Sequence, residues 1–486
     1  MALFIAHAVC GDMDERRDRT SGRSWRRRGG GMSETAAQLP PVAVVGTGYV
    51  GTVVAGAVAA IGGHAIGLEV DAEKLSALRA GRAPFREPGL DELLVAGLAS
   101  RRLAFTRDPD EAMARAEVVF LCVGTPSCPD GRPDVSAVAS AARAIASCAD
   151  RRHILVTKST VPIGSARWLS GLLEELGCDL PIVSNPEFLR EGSAVNDFLH
   201  PDRIVLGSDD PAAIERVVNV YRPILEQRFS GGDPRRQPPL IRTGLLTAET
   251  VKYAANAFLA TKISFINEIA NICELVGADV IDVATAIGLD TRIGPSFLEP
   301  GIGWGGSCFG KDLAALVATA EECGYQAPLL RATVAVNTRQ RSLVVEKLQR
   351  HLQVLRGRRI TVLGLTFKPG TDDTRDSPAI DLVHRLVDLG AAVTVYDPLI
   401  KRLDDVSTVT FARDPYEAAE RSDAVVLATD WPEFVALDLP ILAARMRGDV
   451  LIDGRNVFDP AAVHMAGLRY DCVGRSSARG WDKTSV

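Results

Sequence analysis

From Val42 to Leu68 the chain carries no Asp, Glu, Lys or Arg, and glycines at 46, 48, 51, 56, 62 and 63 cut the run into short apolar pieces. A stretch this long and apolar is either a membrane span or a unit covered by protein on every side. The glycines favour the second reading. They mark a strand over 41–45, a turn Gly46-Thr47-Gly48-Tyr49-Val50-Gly51, a helix over 52–61 and a second strand over 64–70. Gly46 permits the tight turn, Gly48 lets backbone approach a pyrophosphate, and Gly51 lets the helix pack close to the strand, with its N-terminus facing the phosphates. About 20 residues on, an acid is expected to bind ribose hydroxyls and repel a 2′-phosphate. Glu69 or Asp71 fills that place, so NAD is expected rather than NADP, with Lys74 as a nearby cation.

The same pattern continues. Apolar runs over 117–123, 153–157 and 180–184 read as strands, and they end in loops bearing Thr125, in Lys158-Ser159-Thr160, and in Glu187 to Glu191. Ligands gather at the carboxyl ends of parallel strands, so three such loops in succession suggest a cleft. A helix is expected over 247–276, with Thr247 as N-cap and Glu249 in its first turn. Lys252 and Asn256, four apart, share a face of that helix; spacing alone leaves open whether they reach solvent or a site. In Gly301-Ile-Gly-Trp-Gly-Gly-Ser-Cys308-Phe-Gly-Lys311-Asp312, glycines precede a cysteine at an expected helix N-terminus. The dipole and Lys311 are expected to lower its pKa, and Asp312 to point the same way as the sulfur, an arrangement for covalent catalysis. Cysteines 122, 148, 178, 273, 323 and 472 are expected to be small buried hydrophobes. Strands over 359–363, 392–396, 424–428 and 450–452 form a second α/β unit, whose first turn, through Lys368 and Arg375, is too long and basic for a dinucleotide and suits another anion.

The whole chain has 486 residues, roughly three domains' worth. Its net charge of −6 speaks against a nucleic-acid partner. Nine cysteines without a CxxC pair or Cys/His cluster argue against a disulfide scaffold or a metal site and fit a reducing cytoplasm. The first 31 residues, with seven Arg but no basic-then-apolar order, are a poor signal peptide. They read as a disordered leader, and Met32 as an ordinary beginning. The Pro- and Gly-rich segment 229–242 reads as an exposed connection.

Taken together, GTGYVG (46–51), KSTVP (158–162), NPEFLREGSA (185–194), KYAANAFLA (252–260), RIGPSFLEPGIGWGGSCFGKD (292–312), FKPGTDDTRDSP (367–378) and DGRN (453–456) resemble the UDP-glucose/GDP-mannose dehydrogenase family, in order, over about residues 41–470. The resemblance implies two Rossmann-like doubly wound parallel sheets joined by a central helical domain with a long helix. The expected layout is leader 1–40, NAD-binding domain 41–240, central domain 241–340 carrying the cysteine and the dimer contact, nucleotide-sugar-binding domain 341–470 and tail 471–486. It implies oxidation of a sugar C6 alcohol to a carboxylate with two NAD⁺, through a thiohemiacetal and a thioester on Cys308. UDP-glucose is the default substrate, with dTDP-glucose or GDP-mannose next, and a two-electron β-hydroxyacid-type dehydrogenase is the alternative reaction. Lys252 and Asn256 would stabilise the oxyanion, and Asp312, Thr160 and Glu187 would hold or activate water. Gly46, Gly48, Tyr49, Val50, Gly51, Glu69, Asp71, Lys74, Thr125, Glu191, Lys311 and Arg375 match cofactor positions. Phe188, Leu189, Arg190, Phe297, Gly305, Lys368 and Arg455 match substrate positions. Arg292 matches an arginine that reaches into a neighbouring subunit, which implies a homodimer or larger. No membrane, nucleic-acid or metal partner is implied. Gly310, Glu69 and Trp304 depart from the residues usual in the family, as does the insertion around 229–242.

Overall fold

The computed structural model describes residues 39–128, 131–403, 406 and 408–475; most of the expected leader and the chain beyond 475 lie outside them. The first sheet has eight strands in the order β3-β2-β1-β4-β5-β6-β7-β8. They are β1 (Val42–Val45), β2 (Ala65–Leu68), β3 (Leu103–Thr106), β4 (Val118–Leu121), β5 (Ile154–Thr157), β6 (Ile182–Ser184), β7 (Ile204–Gly207) and β8 (Leu240–Thr243). All neighbours run parallel except β6 and β7, which pair antiparallel through Ser184 and Gly207. The second sheet has six parallel strands in the order β11-β10-β9-β12-β13-β14. Its members are β9 (Arg359–Leu363), β10 (Ala392–Tyr396), β11 (Thr410–Phe411), β12 (Ala424–Leu427), β13 (Val450–Asp453) and β14 (Arg469–Cys472). Each sheet is covered on both faces by apolar clusters, so its inner strands are buried throughout.

Between the sheets lies the central helix, Leu245–Val276. It starts two residues before the expected Thr247, after Gly244, and Glu249, expected in its first turn, serves a different helix. The Glu249 carboxylate accepts N–H bonds from Gly164 (2.6 Å) and Ala166 (2.8 Å), closing the N-terminus of the helix Ser165–Glu175. At the far end Lys347 Nζ donates to Glu274 of the central helix (2.7 Å) and to Asp471 of β14 (2.8 Å). Two expected boundaries need correction. Strand β8 runs across 240/241, so residues 240–242 of the expected exposed connection are paired sheet, and β14 runs across 470/471. Among the described residues, no helix is long and apolar enough to cross a membrane.

The turn after β1 shows why its glycines are needed. Gly46 holds φ at +88°, and a Cβ there would lie 2.8 Å from Val123 Cγ1. A Cβ on Gly51 would lie 1.9 Å from the carbonyl oxygen of Gly46, so the helix can approach the strand only without one. Gly51→Ala is therefore expected to destabilise the first domain by about 1–3 kcal/mol. Calorimetry should show a lower Tm, and a dinucleotide titration should show weakened binding.

Candidate active site

The helix Tyr49–Ala60 begins at Gly48 with no side-chain cap, and nothing lies within 4 Å of where a Gly48 Cβ would stand. Its free N–H groups and the open backbone above them fit a pyrophosphate. At the end of β2, the Glu69 side chain is buried, accepting from Thr47 Oγ1 (2.7 Å) and the Asp71 N–H (2.9 Å). Asp71 itself caps the helix Ala72–Arg79 through the N–H groups of Glu73 and Lys74. Of the two expected ribose acids, Glu69 is thus the one at the strand end, and Asp71 is occupied as a cap. Val50 packs against the core. The Tyr49 hydroxyl bonds Glu87 and accepts from the Gly192 N–H (3.0 Å), tying the dinucleotide turn to the loop after β6. Thr125 donates to the Thr160 carbonyl (2.6 Å).

A cavity of about 760 Å³ opens between the loop after β6, the central helix, the cysteine segment and the second sheet. Glu187, Phe188, Leu189, Arg190 and Glu191 line it, as do Lys252 and Asn256, Phe297 and Gly305, and Cys308, Lys368 and Arg455. Lys252 and Asn256 are both buried, which closes the solvent reading. Lys252 Nζ donates to Glu187 Oε1 at 2.8 Å, and the other Glu187 oxygen accepts from the Leu189 N–H at 2.6 Å. Burial alone would neutralise both groups. The charge and hydrogen bond of Lys252 overcome it, holding the Glu187 carboxyl below its usual range, and the carboxylate with Cys308 and Asp312 holds Lys252 above its own. Asn256 Nδ2 donates to Asp312 Oδ2 at 2.6 Å.

Cys308 is the N-cap of the helix Phe309–Glu322. Its sulfur is exposed to the open cleft, yet protein crowds it, and that desolvation pushes the thiol pKa up. Lys252 pulls it down, while Glu187 and Asp312 add to the rise. The expected lowering by Lys311 does not occur, because Lys311 Nζ turns to Asp312 Oδ1 (2.7 Å) instead. The sequence reading placed the right helix end but the wrong cation. Ser307 Oγ lies 3.5 Å from the sulfur and donates to Glu191 Oε1 at 3.3 Å. Glu191 also meets Arg375 (3.2 Å); burial and the neighbouring Asp373 push its carboxyl up to about 7, and its Oε2 is buried without a partner. An orphaned oxygen beside the thiol suits a bound ligand.

The remaining expected residues fall in three groups. Lys368 and Arg455 face the cavity from the second sheet, Arg455 bonding the Ala428 carbonyl at 2.8 Å. Arg190 faces it too, but its guanidinium forks onto Asp197. Thr160 lines a separate small recess that shares Lys252 with the cleft. Lys74 is exposed in the first turn of the helix that Asp71 caps, and Arg292 is exposed and paired with Asp290, outside this chain's own cleft. Gly305 admits no side chain, since a Cβ would lie 2.2 Å from the Asp376 carbonyl. Trp304 is buried beside it, donating through Nε1 to Ser264 (3.0 Å) and meeting Phe309 edge-on. Gly310 leaves room for the Asp376 carboxylate, 3.3 Å from where its Cβ would stand. Of the cysteines expected to be buried, Cys323 is exposed and Cys148 half-buried. Sequence reasoning placed Lys158 and Asn185 in cleft-forming loops without giving them a role and did not single out Arg203 or Tyr221; all four line the cavity.

A dinucleotide turn on the first sheet, together with a thiol and a buried ammonium that open on one cleft, are the working parts of a nicotinamide-dependent dehydrogenase. Comparison with known proteins narrows the class. Three models of the UDP-glucose/GDP-mannose dehydrogenase family match, the NAD binding domain over residues 41–225, the central domain over 246–339 and the UDP binding domain over 361–460. The chain belongs to this family, and it is an NAD-binding oxidoreductase. A UDP-glucose 6-dehydrogenase of Rhizobium meliloti is 47% identical over 448 residues, covering 89% of this chain and 99% of the relative. One of Haloferax volcanii is 43% identical over 89% of this chain and 99% of its own length. The solved UDP-glucose dehydrogenase of Pyrobaculum islandicum superposes with a TM-score of 0.83 at 37% identity, covering 92% of this chain and all of that one.

Lys252 is the cation that favours the Cys308 thiolate. Lys252→Met is expected to raise the pH of half-maximal Cys308 alkylation by about one unit or more. Site-resolved mass spectrometry after iodoacetamide treatment across a pH series measures this.

Proposed function

We propose that the protein is a UDP-glucose 6-dehydrogenase, oxidising the sugar C6 alcohol to the glucuronate in two steps without releasing the aldehyde. The observation that carries this reading is the Cys308 sulfur facing a cleft whose floor is the buried Lys252–Glu187 pair. The full-length relatives bearing that name support the choice of sugar nucleotide. NAD⁺, when bound on the turn after β1, accepts the hydride that each oxidation gives up. In the first oxidation the C6 hydroxyl gives its proton to a water in the cleft while Lys252 and Asn256 orient its oxygen. The Cys308 sulfur then adds to the aldehyde carbon, giving an sp³ thiohemiacetal from which a second hydride can leave. Its oxyanion would lie beside the buried Lys252 ammonium, where the attraction is stronger than between ions in water. The resulting thioester is cleaved by water, held by Asp312 and Glu187, which returns the free thiol and the carboxylate. Glu69 serves the adenine ribose, Lys368 and Arg455 the diphosphate side of the sugar nucleotide, and Phe188, Leu189 and Phe297 the sugar.

The same reading proposes a homodimer. The central helix exposes Phe258, Phe265, Ile272 and Leu275, a stripe that a second copy would cover, and Arg292 would then reach the neighbouring cleft. A cytoplasmic setting is proposed from the free cysteines among the described residues.

Two NADH are expected per UDP-glucose consumed, counted by absorbance against the glucuronate formed; one NADH with free aldehyde released overturns the thioester route and favours a two-electron dehydrogenase. A panel with dTDP-glucose and GDP-mannose tests the base. Cys308→Ser is expected to abolish overall turnover while leaving NAD affinity unchanged in a binding titration.

A further inference from the structure

A second ammonium stands behind the Lys252–Glu187 pair. Lys158, just after β5, is 5% exposed; its Nζ donates to Asn185 Oδ1 at 3.1 Å and lies 5.9 Å and 5.8 Å from the ring centroids of Phe198 and Tyr221. Among the described residues it has no carboxylate within ion-pair distance, since Glu187, whose charge it feels, gives its oxygen to Lys252. A buried ammonium without an ion-pair partner is costly, and a fold that keeps one at the wall of its cleft is using the charge. The other groups that face Lys158 are Cys122 after β4, whose thiol burial pushes up to about 12, the Tyr221 phenol, also raised by burial, and Lys252. Two ammonium groups and one carboxylate therefore share this interior at neutral pH, a surplus of one positive charge.

A bond to Asn185 holds the Lys158 ammonium in place. Asn185 is gripped from four directions. Lys158 Nζ and the Tyr221 hydroxyl (2.6 Å) donate to its Oδ1, its Nδ2 donates to the Val205 carbonyl (2.9 Å), and its N–H donates to the Thr157 carbonyl (2.9 Å). Two residues later the same loop delivers Glu187 to Lys252. At the thiol, Lys252 and Glu187 pull in opposite directions, so a cation that offsets Glu187 strengthens the net effect of Lys252.

We propose that Lys158 is a positioning residue of the dehydrogenation. Held in place by Asn185, it offsets the charge of Glu187, so that Lys252 acts at fuller strength on the Cys308 sulfur and on the oxyanion formed there. The proposal rests on the reading of Cys308 as nucleophile. Burial holds the Lys158 ammonium down to about 8, so the surplus is present below that pH and lost above it.

The test uses the full-length enzyme and three variants, Lys158→Met, Lys158→Gln and Tyr221→Phe. Gln keeps an N–H donor for Asn185 but drops the charge, and Tyr221→Phe loosens Asn185 but keeps the charge. For both lysine variants, iodoacetamide labelling of Cys308, resolved by mass spectrometry, is expected to need a higher pH. Their kcat is expected to fall about tenfold, equivalent to 1.4 kcal/mol of barrier, with KM for UDP-glucose changed less than about threefold. Tyr221→Phe is expected to keep the parent labelling profile. A parent profile in Lys158→Gln overturns the proposal, and so does an equal shift in Tyr221→Phe, which would make Lys158 a mere prop for the loop. Labelling involves no sugar, so this outcome is independent of the substrate; an active Cys308→Ser enzyme would instead overturn the reading of the thiol on which the proposal rests.

Discussion

A buried ammonium from one domain meets a buried carboxylate from another at 2.8 Å, and the rest of the site is arranged around that contact. Neither Lys252 nor Glu187 could remain charged alone in such surroundings; breaking a pair of this kind costs about 3–5 kcal/mol, most of it for the ion left behind. The pair therefore does two things at once. It locks the central helix to the loop after β6, and it keeps a full positive charge at the place where negative charge would develop on sulfur or on a sugar oxygen. The thiol is pushed upward by burial, and the cation that pulls it back down is Lys252 rather than the nearest lysine in sequence.

Asn256 and Asp312 extend the same arrangement. Asp312 accepts from both Asn256 and Lys311, so its two oxygens are committed and the carboxylate is pinned 1% exposed beneath the cysteine. The cluster alternates sign from Glu187 through Lys252 to Asp312 and Lys311. Each charge is compensated locally, apart from the ammonium of Lys158. On the other side of the thiol, Glu191, Asp373 and Arg375 form a softer, partly open group.

Much of this architecture was legible in the chain itself. The glycines around β1 and β2 exposed a dinucleotide unit because only Gly tolerates the turn and the close helix approach seen at Gly46 and Gly51. Strands such as β9, β10 and β12 are continuous apolar runs. Strands β7 and β8 were missed: β7 is a buried run of only four residues, and β8, at the sheet edge, is half-buried or exposed throughout and carries no apolar pattern. The glycine-rich approach to Cys308 pointed to the thiol. Its partners were another matter. Lys252 and Glu187 are 65 residues apart, and Asn256 and Asp312 are 56 apart, so their meeting is a property of tertiary packing and not of spacing. Lys311 misled because adjacency in sequence says nothing about which carboxylate a flexible side chain chooses.

The central helix is fastened near one end by Glu249 to the backbone of a helix on the first sheet and near the other by Glu274 to Lys347, which also grips the second sheet's last strand. At about 1.5 Å per residue its 32 residues span about 48 Å. It thus works as a strut of fixed length between two walls. The spacing of the two sheets, and with it the width of the cleft that Lys252 and Asn256 line, is therefore written into the length of one helix.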